Sequence, residues 1–491
     1  MSKKITHTDI IVVGAGIAGI ASAYYLKKKR AKSRFFILEA LDSFGGTWYT
    51  HKYPGVRSDS DLFTFGYSFK SWNDAPIATA SEILKYIGET IKENNIQNNI
   101  KYNHKVLKAD WSNSEKKWTL MVEHSTKKQI LYFSCNFLQM CQGYYRQNQG
   151  YIPNWKNIEN FDGKFIHTEE WPNKLNYSNK KIIVIGSGAT AATTIPVLAK
   201  KAKHVTMLQR TPTFYRTSTI GTEEIANTLR NITDDSEWIH KIVREQILIN
   251  QEIFIKRCVE EPEKVRLELL EEIRNVLGEQ FDIEKHFSPS YRPWQQRIAL
   301  TPDAELFKSI ANQDVSVVTD EIESFNKNGI LLKSGEELSA DIIIAATGFN
   351  MSILGDIEFS IDKKFINLSD TITYRGMMFT SIPNLIWTFG YFRQAWTLRA
   401  EMIANFMIKL INHMDFIDAK KITVKLRKKD QNMKILPWIR EEEFNPGYLS
   451  RALEKMPKSG SNIEWVHNQN YWYEKDIIPN IDLNSEEFIY E

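Results

Sequence analysis

Two stretches of the chain repeat one hydrophobic pattern: a short apolar run leads through a glycine-rich turn into a longer segment of helical periodicity. In the first stretch the apolar run is DIIVV, the turn is GAGIAG and the helical segment is IASAYYLKKK, together residues 9–29. The second stretch, KKIIVIGSGATAATTIPVL, repeats this order over residues 180–198. Apolar runs of strand length that alternate with helical segments are typical of parallel βαβ units. The pattern therefore predicts an α/β protein that contains two similar units.

The first glycine-rich turn has the spacing G-x-G-x-x-G, formed by Gly14, Gly16 and Gly19. In this motif the first glycine permits a tight turn, the second lets a pyrophosphate approach the backbone, and the third lets the helix pack on the strand. The next apolar segment, RFFILE, ends at Glu39, where a carboxylate is expected to bind ribose hydroxyls. We interpret the unit as a dinucleotide site; the alternative is a glycine-rich turn with a surface glutamate.

The second glycine-rich turn, formed by Gly186, Gly188 and Ala191, has the variant spacing G-x-G-x-x-A. The strand that follows, HVTMLQR, ends at Arg210 instead of an acid. A guanidinium can hold the 2′-phosphate of NADPH with two hydrogen bonds, whereas an acid would repel it. We therefore predict an NADPH site with Gln209 as a neighbour, and two Rossmann-like dinucleotide-binding domains. The alternative for Arg210 is a solvated arginine at a strand end.

The rest of the chain suggests how these units are arranged. Residues 216–294, which include EEPEKVRLELLEEIRNVL, carry charges and apolar side chains at helical spacing and are interpreted as an insertion. The segment WTLRAEMIANFMIKLINHM has the pattern of an amphipathic helix and is expected near the first cofactor. The predicted boundaries are 1–150 and 377–491 for the first nucleotide-binding domain, 151–215 and 295–376 for the second, and 216–294 for the helical insertion.

Composition excludes several classes of protein. The formal net charge of +3 gives no electrostatic support for nucleic-acid binding. Three cysteines are too few for a disulfide scaffold and fit a cytoplasmic location. The apolar N-terminal run contains the glycines of the first turn, so we do not interpret it as a signal peptide. No other apolar run approaches the length of a membrane span, and no metal site is predicted.

The segment between the two turns narrows the class. Residues 161–172 read FDGKFIHTEEWP, with the pattern F-x-G-x-x-x-H-x-x-x-W-P. This pattern resembles the fingerprint of type I Baeyer–Villiger monooxygenases. RSDSDLFTFGYSFKSW, HVTMLQRTPT, NPGYLSRALEKMPKSG and HNQNYW are similar to the subgroup of this family that activates ethionamide. The resemblance covers nearly the whole chain, and it implies that the first turn binds FAD, the second binds NADPH, and O2 is a substrate.

The resemblance also implies roles for individual residues. YPGVRSDSD, residues 53–61, is similar to the family's loop along the flavin, and PWQQRIALTPDAELF, residues 293–307, to the segment with the active-site arginine. Arg297 would then stabilise the negative charge of a C4a-peroxyflavin, and Asp59 would position Arg297. His167 would link domain movement to cofactor position. The other implied cofactor contacts are Ala18, Thr47, Trp48, Arg57, Ser58, Asp59 and Val106 for FAD, and Ser187, Ala189, Thr190 and Gln209 for NADPH.

Bland alternatives exist for several of these residues. Trp48 and Val106 could be ordinary core residues, Asp59 could cap a helix, and His167 could be a hydrogen-bonded histidine between domains. FAD and NADPH together also fit a disulfide reductase, which needs a cysteine pair beside the flavin. Cys135 and Cys141 flank an apolar run of strand type, which would separate them by about 20 Å, beyond bonding distance. The sequence therefore argues against the reductase.

Three functional hypotheses remain. The first is a Baeyer–Villiger monooxygenase that converts ketones to esters or lactones and also oxygenates thioethers or thioamides. The second is a flavin monooxygenase of soft nitrogen or sulfur nucleophiles, and the third is a non-catalytic FAD redox sensor. Trp171, Pro172 and Arg297 favour the first. Gln394 and Ala395 depart from the subgroup, so its substrate preference does not transfer; the oligomeric state and weak peripheral membrane association stay open.

Overall fold

The computed structural model describes residues 4–217 and 222–491, which form 27 strands and 13 α-helices. The strands are β1 (Ile5–Val13), β2 (Phe35–Leu38), β3 (Ile100–Lys101), β4 (His104–Ser112), β5 (Lys117–His124), β6 (Gln129–Met140), β7 (Tyr145–Gly150), β8 (Lys164–His167), β9 (Lys181–Ile185), β10 (His204–Gln209), β11 (Tyr215–Arg216), β12 (Ala299–Leu300), β13 (Val315–Thr319), β14 (Ile322–Asn326), β15 (Gly329–Leu332), β16 (Glu337–Ser339), β17 (Ile342–Ala345), β18 (Phe349–Met351), β19 (Glu358–Ile361), β20 (Lys364–Phe365), β21 (Thr373–Tyr374), β22 (Met378–Phe379), β23 (Leu385–Trp387), β24 (Ile422–Val424), β25 (Ile435–Pro437), β26 (Lys458–Gly460) and β27 (Phe488–Tyr490). The α-helices are α1 (Ile17–Lys29), α2 (Thr47–Thr50), α3 (Leu62–Phe65), α4 (Ala80–Glu93), α5 (Ala189–Ala199), α6 (Thr222–Arg230), α7 (Ser236–Glu260), α8 (Pro262–Leu277), α9 (Ile283–Phe287), α10 (Glu305–Ala311), α11 (Trp396–Phe416), α12 (Gly447–Ala452) and α13 (Tyr471–Ile477).

The larger sheet contains the first predicted nucleotide unit. Its strands follow the order β20-β19-β4-β5-β6-β1-β2-β3, and β23 pairs with β6. β1 is parallel to both of its neighbours, β2 and β6, and its apolar residues Ile10–Val13 are buried. A strand buried on both faces reads as a continuous apolar run, which is why DIIVV carries no polar alternation.

The second sheet has five parallel strands in the order β13-β10-β9-β17-β8. β9 lies near its centre, with Ile182–Ile185 buried, and runs into the second glycine-rich turn. β8 comes from the fingerprint segment and β17 from the later segment ADIIIAATGFN. The sheet therefore joins parts of the chain that are distant in sequence.

Helices cover both sheets. α1 follows the first turn and packs against α11, the helix predicted from the C-terminal amphipathic pattern. α11 buries Ile403, Met407 and Leu410 in the same apolar core as α1. α5 follows the second turn and packs beside β10 and α10. Because α11 returns to α1, the end of the chain contributes to the first nucleotide unit.

The segment between the two halves of the second sheet is helical, as its periodicity predicts. Helices α6 to α9 lie within it, and α7 alone spans Ser236–Glu260. Asp235 caps α7 by accepting hydrogen bonds from two backbone amides, and Pro262 begins α8. Residues 218–221 of the predicted insertion lie outside the described residues. In residues 4–217 and 222–491, every helix is too short or too polar to span a bilayer.

Candidate active site

The first glycine-rich turn, residues 14–19, joins β1 to α1 through backbone positions that a side chain would disturb. Gly14 has a φ of +101°, which L-residues rarely adopt. A Cβ added at Gly19 would lie 1.9 Å from the carbonyl oxygen of Gly14, so a side chain there would force α1 away from β1. Gly16 is the N-cap of α1 and supplies no side chain to the free helix amides. These amides are therefore available to a phosphate.

Glu39 directly follows β2, and its carboxylate lies against the first turn. Its Oε2 accepts a hydrogen bond from the amide of Ala15 at 2.6 Å, and its Oε1 accepts one from the amide of Leu41 at 2.9 Å. Burial raises the pKa of Glu39, while these backbone donors act in the opposite direction. The structure thus places Glu39 at the turn where the sequence predicts a ribose contact, and Ala18 is buried in the first turn of α1.

The residues predicted to surround FAD approach the same end of the larger sheet. Thr47 and Trp48 begin α2, and Trp48 packs against the core of the first unit. β4 starts beside Glu39, because the amide of His104 donates a hydrogen bond to the Glu39 carbonyl at 2.7 Å. Val106 lies two residues farther along β4 and is buried. Its side chain is part of the core, so only its backbone could contact a cofactor.

The loop before α3 carries three predicted FAD contacts, Arg57, Ser58 and Asp59. Arg57 donates a hydrogen bond through Nη1 to Glu305 at 3.0 Å, but its buried Nη2 has no partner within the described residues. Ser58 is buried and turns its hydroxyl to the carbonyl of Ser60 at 2.6 Å. An unpaired buried guanidinium nitrogen is costly unless a ligand satisfies it. This loop therefore fits a bound anionic or polar cofactor group.

The second glycine-rich turn, residues 186–191, repeats the geometry of the first. Gly186 has a φ of +133°, and an added Cβ would lie 2.4 Å from the carbonyl oxygen of Ala346. Gly188 is the N-cap of α5, and a Cβ added there would meet no atom within 4 Å. The described protein therefore does not itself require glycine at position 188, and the open space suits a phosphate near the helix amides. Ala191 is fully buried against the sheet.

Ser187, the polar residue of the second turn, already has hydrogen-bond partners within the protein. The hydroxyls of Ser187 and Thr213 lie 2.8 Å apart, and Tyr215 donates a hydrogen bond to the Ser187 carbonyl at 2.6 Å. Ala189 and Thr190 begin α5 and are half-buried. Their amides belong to the helix N-terminus, where the predicted NADPH contacts are expected.

Gln209 and Arg210 differ sharply in their surroundings. Gln209 is buried, and its Nε2 donates hydrogen bonds to the carbonyl of His286 at 2.6 Å and to the hydroxyl of Thr319 at 2.9 Å. Arg210 lies one residue beyond β10 and is exposed. No hydrogen bond or ion pair to the described residues involves its guanidinium. Arg210 is thus free to bind a phosphate, whereas Gln209 already has structural partners.

Arg297 and Asp59, which lie far apart in sequence, meet in the structure. Nη1 of Arg297 lies 3.5 Å from Oδ2 of Asp59, and Nη2 donates a hydrogen bond to the hydroxyl of Tyr144 at 3.3 Å. Burial alone would lower the pKa of Arg297, but Tyr144, Tyr448 and Asp59 together raise it well above its ordinary value. The guanidinium is therefore a permanent positive charge, and its ion pair is loose enough to leave it donors for a ligand.

An aromatic cluster beside Arg297 was not predicted from the sequence. The ring of Tyr144 stacks on Trp396 and on Tyr145, with centroids 5.2 and 4.5 Å away. Phe349 stacks on Tyr448 at 4.4 Å and meets Tyr145 edge-on. The only local signal is that Tyr144 directly follows Gly143, at the end of a strand of the larger sheet. Four separate segments supply these rings, and their meeting depends on the folded chain.

His167 ends β8 and lies where the connections between the two sheets pass. A Cβ added at Gly150 would lie 2.0 Å from ring atoms of His167, so the imidazole packs directly on that backbone. Nδ1 of His167 accepts a hydrogen bond from the amide of Glu169 at 3.1 Å, whereas the buried Nε2 has no partner within the described residues. Burial lowers the pKa of His167. Folding therefore favours the neutral form of the ring, which lies on the connection between the two nucleotide units.

All three cysteines, Cys135, Cys141 and Cys258, are free and buried. Burial raises the pKa of the Cys141 thiol to about 11, despite weak bonds with Thr388 and Ser22. A buried thiol with a raised pKa is a poor nucleophile. The structure gives no cysteine pair that could serve a disulfide reductase.

Residues 8–234 match the family model described as pyridine nucleotide-disulphide oxidoreductase. The FAD-containing monooxygenase EthA of Mycobacterium tuberculosis is 41% identical over 468 residues, which cover 95% of this chain and 94% of the relative. The probable FAD-binding monooxygenase AlmA of an Acinetobacter species is 39% identical over 490 residues, covering 99% of this chain and 96% of the relative.

The chain belongs to the family of FAD-containing monooxygenases. The match confirms the family predicted from the fingerprint and the prediction of a flavoprotein monooxygenase. The protein is therefore an enzyme and not a non-catalytic FAD redox sensor.

Solved structures support the fold. OTEMO in complex with FAD and NADP aligns with a TM-score of 0.74 and 19% identity, over 99% of this chain and 100% of that chain. An oxidized steroid monooxygenase bound to NADP aligns with a TM-score of 0.70 and 21% identity, over 86% of this chain and 88% of that chain. These likenesses confirm the predicted α/β fold with two Rossmann-like domains. The predicted cofactors are FAD and NADPH; OTEMO was solved with FAD and NADP, and the steroid monooxygenase with NADP.

Proposed function

We propose that this enzyme inserts one oxygen atom of O2 beside the carbonyl carbon of a ketone, forming an ester or lactone. NADPH would supply two electrons, and the second oxygen atom would leave as water. The observation that supports this proposal is the placement of Arg297 against Asp59 and Tyr144, at a cavity beside the loop of residues 53–61, the flavin loop. Attack of a peroxide anion on a ketone requires a fixed cation, because negative charge develops on oxygen. Oxygenation of thioethers or thioamides would be a side activity.

The residues of the two turns account for cofactor binding in this proposal. When FAD is bound and reduced, it is the group that would react with O2. The helix amides after Gly16 would bind its pyrophosphate, Glu39 its ribose, and the unpaired Nη2 of Arg57 a polar group of the cofactor. The amides after Gly188 and the free guanidinium of Arg210 would hold NADPH.

Arg297 and Asp59 would stabilise negative charge and would not transfer protons. The pKa of Arg297 is raised, so the guanidinium stays protonated while it stabilises a negatively charged oxygen. Asp59 lies 3.5 Å away and would hold the guanidinium in place. We also propose that the predicted domain boundaries apply, except that residues 358–365 belong to the first nucleotide-binding domain, because β19 and β20 extend the larger sheet beside β4. We further propose that the enzyme works in the cytoplasm, which three free buried thiols favour.

The Arg297→Ala variant tests the proposal. We expect NADPH to reduce the flavin of this variant at nearly the normal rate, while ester formation falls by on the order of 10²–10³ because the cation is lost. Rapid mixing under anaerobic conditions measures reduction, and mass spectrometry of the products measures oxygenation. Arg34→Ala, which removes a side chain that is 71% exposed, is the control for the loss of one charge.

The same variant separates the ketone reaction from oxygenation of soft nucleophiles. A thioether is itself the nucleophile and attacks an oxygen atom of the oxidant. Its oxygenation therefore does not need a cation that stabilises a peroxide anion. We therefore expect Arg297→Ala to lose ester formation far more than sulfoxide formation. If the wild-type enzyme makes sulfoxides or N-oxides but no esters from linear, cyclic and aryl ketones, the proposal is wrong and the soft-nucleophile monooxygenase replaces it.

A further inference from the structure

A cavity of about 100 Å³ opens beside Arg297 and reaches α7. Residues of the flavin loop, of α7 and of the segment before α11 line it, including Asp59, Phe254 and Gln394. Gln394 and Ala395, the two residues that depart from the subgroup, both line this cavity. The cavity is thus the place where this chain would determine its own substrate preference.

Three arginines and two aspartates line the cavity, and their charges are not matched in the same way. Arg297 is paired with Asp59. Asp61 is buried and accepts hydrogen bonds from the amide and hydroxyl of Thr64, both at 2.8 Å, and from Gln251 at 3.2 Å. Burial raises the pKa of Asp61, with the bonds from Thr64 acting against it. Both acids are therefore engaged away from the remaining two arginines.

Arg216 and Arg393 are those two arginines, and neither has a carboxylate within 4 Å among the described residues. The Arg216 guanidinium lies over the ring of Phe254, 4.5 Å from its centroid. Arg393 donates a hydrogen bond to the backbone carbonyl of Glu443 and lies 5.9 Å from the ring of Phe444. Each guanidinium has five N–H donors. Most of these donors are left for a ligand.

Arg216 and Arg393 both line this cavity, and the charge of each acts on the buried thiol of Cys258. Cys258 on α7 lies among them: burial raises the pKa of its thiol to about 12, while the charges of Arg216, Arg292 and Arg393 act in the opposite direction. Burial also lowers the pKa of Arg216, with Glu272 acting in the opposite direction, and burial together with Arg292 lowers that of Arg393, with Glu443 acting in the opposite direction. Partly buried like charges are costly unless an anion compensates them. An anion in the cavity would therefore be stabilised by both guanidinium groups.

We propose that the substrate is a ketone that carries a carboxylate, an oxo acid, with the carboxylate bound by Arg216 and Arg393 and the ketone carbonyl beside Arg297. This inference rests on the proposed function, because the ketone carbonyl is placed beside Arg297 on the basis of the role proposed for Arg297. Guanidinium groups bind carboxylates through paired, charge-assisted hydrogen bonds. Phe254, Trp294 and Phe392, the aromatic residues that line the cavity, would contact the carbon chain between the two groups.

The phosphates of NADPH are a different anion that could meet these arginines. The cavity lining, taken from the described residues, includes none of residues 186–191 and not Arg210. Arg216 instead faces Phe254 on α7. The position of the cavity therefore favours the substrate over the cofactor as the source of the negative charge.

The test compares oxo acids with their own methyl esters. The FAD-loaded enzyme is assayed with a series from 4-oxopentanoate to 8-oxononanoate and with the matching esters, which differ only in charge. We expect kcat/KM to favour the acid at one chain length by about ten- to a hundredfold, and Arg393→Gln to remove most of this preference. Arg393→Lys, which keeps the charge, should restore part of it. Arg34→Gln, a change on the exposed surface, should keep the ratio unchanged.

Arg216→Gln is tested second, because the Arg216 side chain also packs on Phe254 and its loss affects packing as well as charge. FAD content and the melting temperature show whether it is folded, and Arg393→Gln carries the test if it is not. Equal kcat/KM for acid and ester in the wild-type enzyme overturns the inference. So does a rise in KM for NADPH in Arg393→Gln with an unchanged ratio of acid to ester, since the arginine would then serve the cofactor.

Binding without turnover separates this inference from the proposed function. Calorimetry measures the affinity of the oxidised enzyme, loaded with FAD and NADP⁺, for each acid and its ester. If no ketone is oxygenated but the acids bind more tightly than the esters and Arg393→Gln abolishes the difference, the anion site stands and the proposed reaction fails. If ketone esters are oxygenated and the acids bind no better, the reaction stands and the anion site fails.

Discussion

The guanidinium of Arg210 differs from that of Arg297 in what surrounds it. Arg210 is exposed beyond β10 and has no partner among the described residues. Arg297 contacts Asp59 and Tyr144 in a partly buried site. An exposed, unpaired arginine gains most from a ligand with two negative charges, whereas a paired one retains its position without a ligand. At the scale of the residue, Arg210 is therefore suited to selecting a phosphorylated cofactor and Arg297 to stabilising charge during the reaction.

Arg210→Ala should reduce the preference for NADPH over NADH. A charge-assisted hydrogen bond is worth about 1.5–3 kcal/mol, so we expect kcat/KM for NADPH to fall roughly ten- to a hundredfold and that for NADH to change little. Steady-state rates with both cofactors measure the ratio. Gln209→Ala is the neighbouring comparison: its amide bonds His286 and Thr319, so it should alter stability more than cofactor preference. An unchanged ratio in Arg210→Ala would remove this arginine from the site.

At the scale of the element, the two strand–turn–helix units use glycine for different reasons. At Gly19 a Cβ would lie 1.9 Å from a backbone oxygen, so the contact between α1 and β1 itself excludes a side chain. At Gly188 a Cβ would meet no protein atom within 4 Å. The first glycine is therefore required by packing, and the second by whatever occupies the space before α5. Local motifs of this kind can be read directly from sequence, because strand, turn and helix are consecutive.

A matched pair of alanine substitutions checks this difference. Gly19→Ala should destabilise the protein by about 1–3 kcal/mol or more, since α1 must move away from β1, and it should also lower FAD content. Gly188→Ala should leave the free energy of unfolding and the FAD content nearly unchanged and raise KM for NADPH. Denaturant titration, flavin absorbance and steady-state kinetics give the three readouts. A loss of stability in Gly188→Ala as large as that in Gly19→Ala would contradict the assignment.

At the scale of the whole molecule, sequence and structure differ in what each reveals. The two turns, Glu39 and the helical segment could be predicted because their signals are local. The meeting of Tyr144 with Trp396 and Tyr448 could not, because three distant segments bring these rings together. Arg297 lies between these cases: only the resemblance to a family distinguished it from other arginines. Long-range packing therefore contributes the surroundings of the site, while the motifs contribute its cofactor contacts.

His167 ends β8 of the second sheet and packs on the connection that leads there from the larger sheet. Its imidazole packs on Gly150, and next to it the amide of Tyr151 donates a hydrogen bond to the carbonyl of Gly348 at 2.9 Å. Burial lowers the pKa of His167, so its neutral form is the one that folding favours. Its contribution to stability is present above the unfolded pKa of about 6.5 and is lost as the pH falls below that value. Because folding favours the neutral imidazole, we expect the ring to position segments and not to transfer protons.

His167→Ala should therefore disturb the coupling between the two units more than either unit alone. We expect FAD content and flavin reduction by NADPH to persist, while the fraction of NADPH whose electrons end in oxygenated product, and not in hydrogen peroxide, falls. Energetic coupling through such residues is about 0.5–2 kcal/mol, a change of roughly two- to thirtyfold in the ratio of the two outcomes. Product and peroxide are quantified together between pH 7 and 9, where the wild-type ratio should not follow a histidine titration. If the variant keeps the wild-type ratio, or if it loses FAD outright, His167 has only a structural role, because the imidazole would then stabilise the connection without influencing how the two cofactor sites work together.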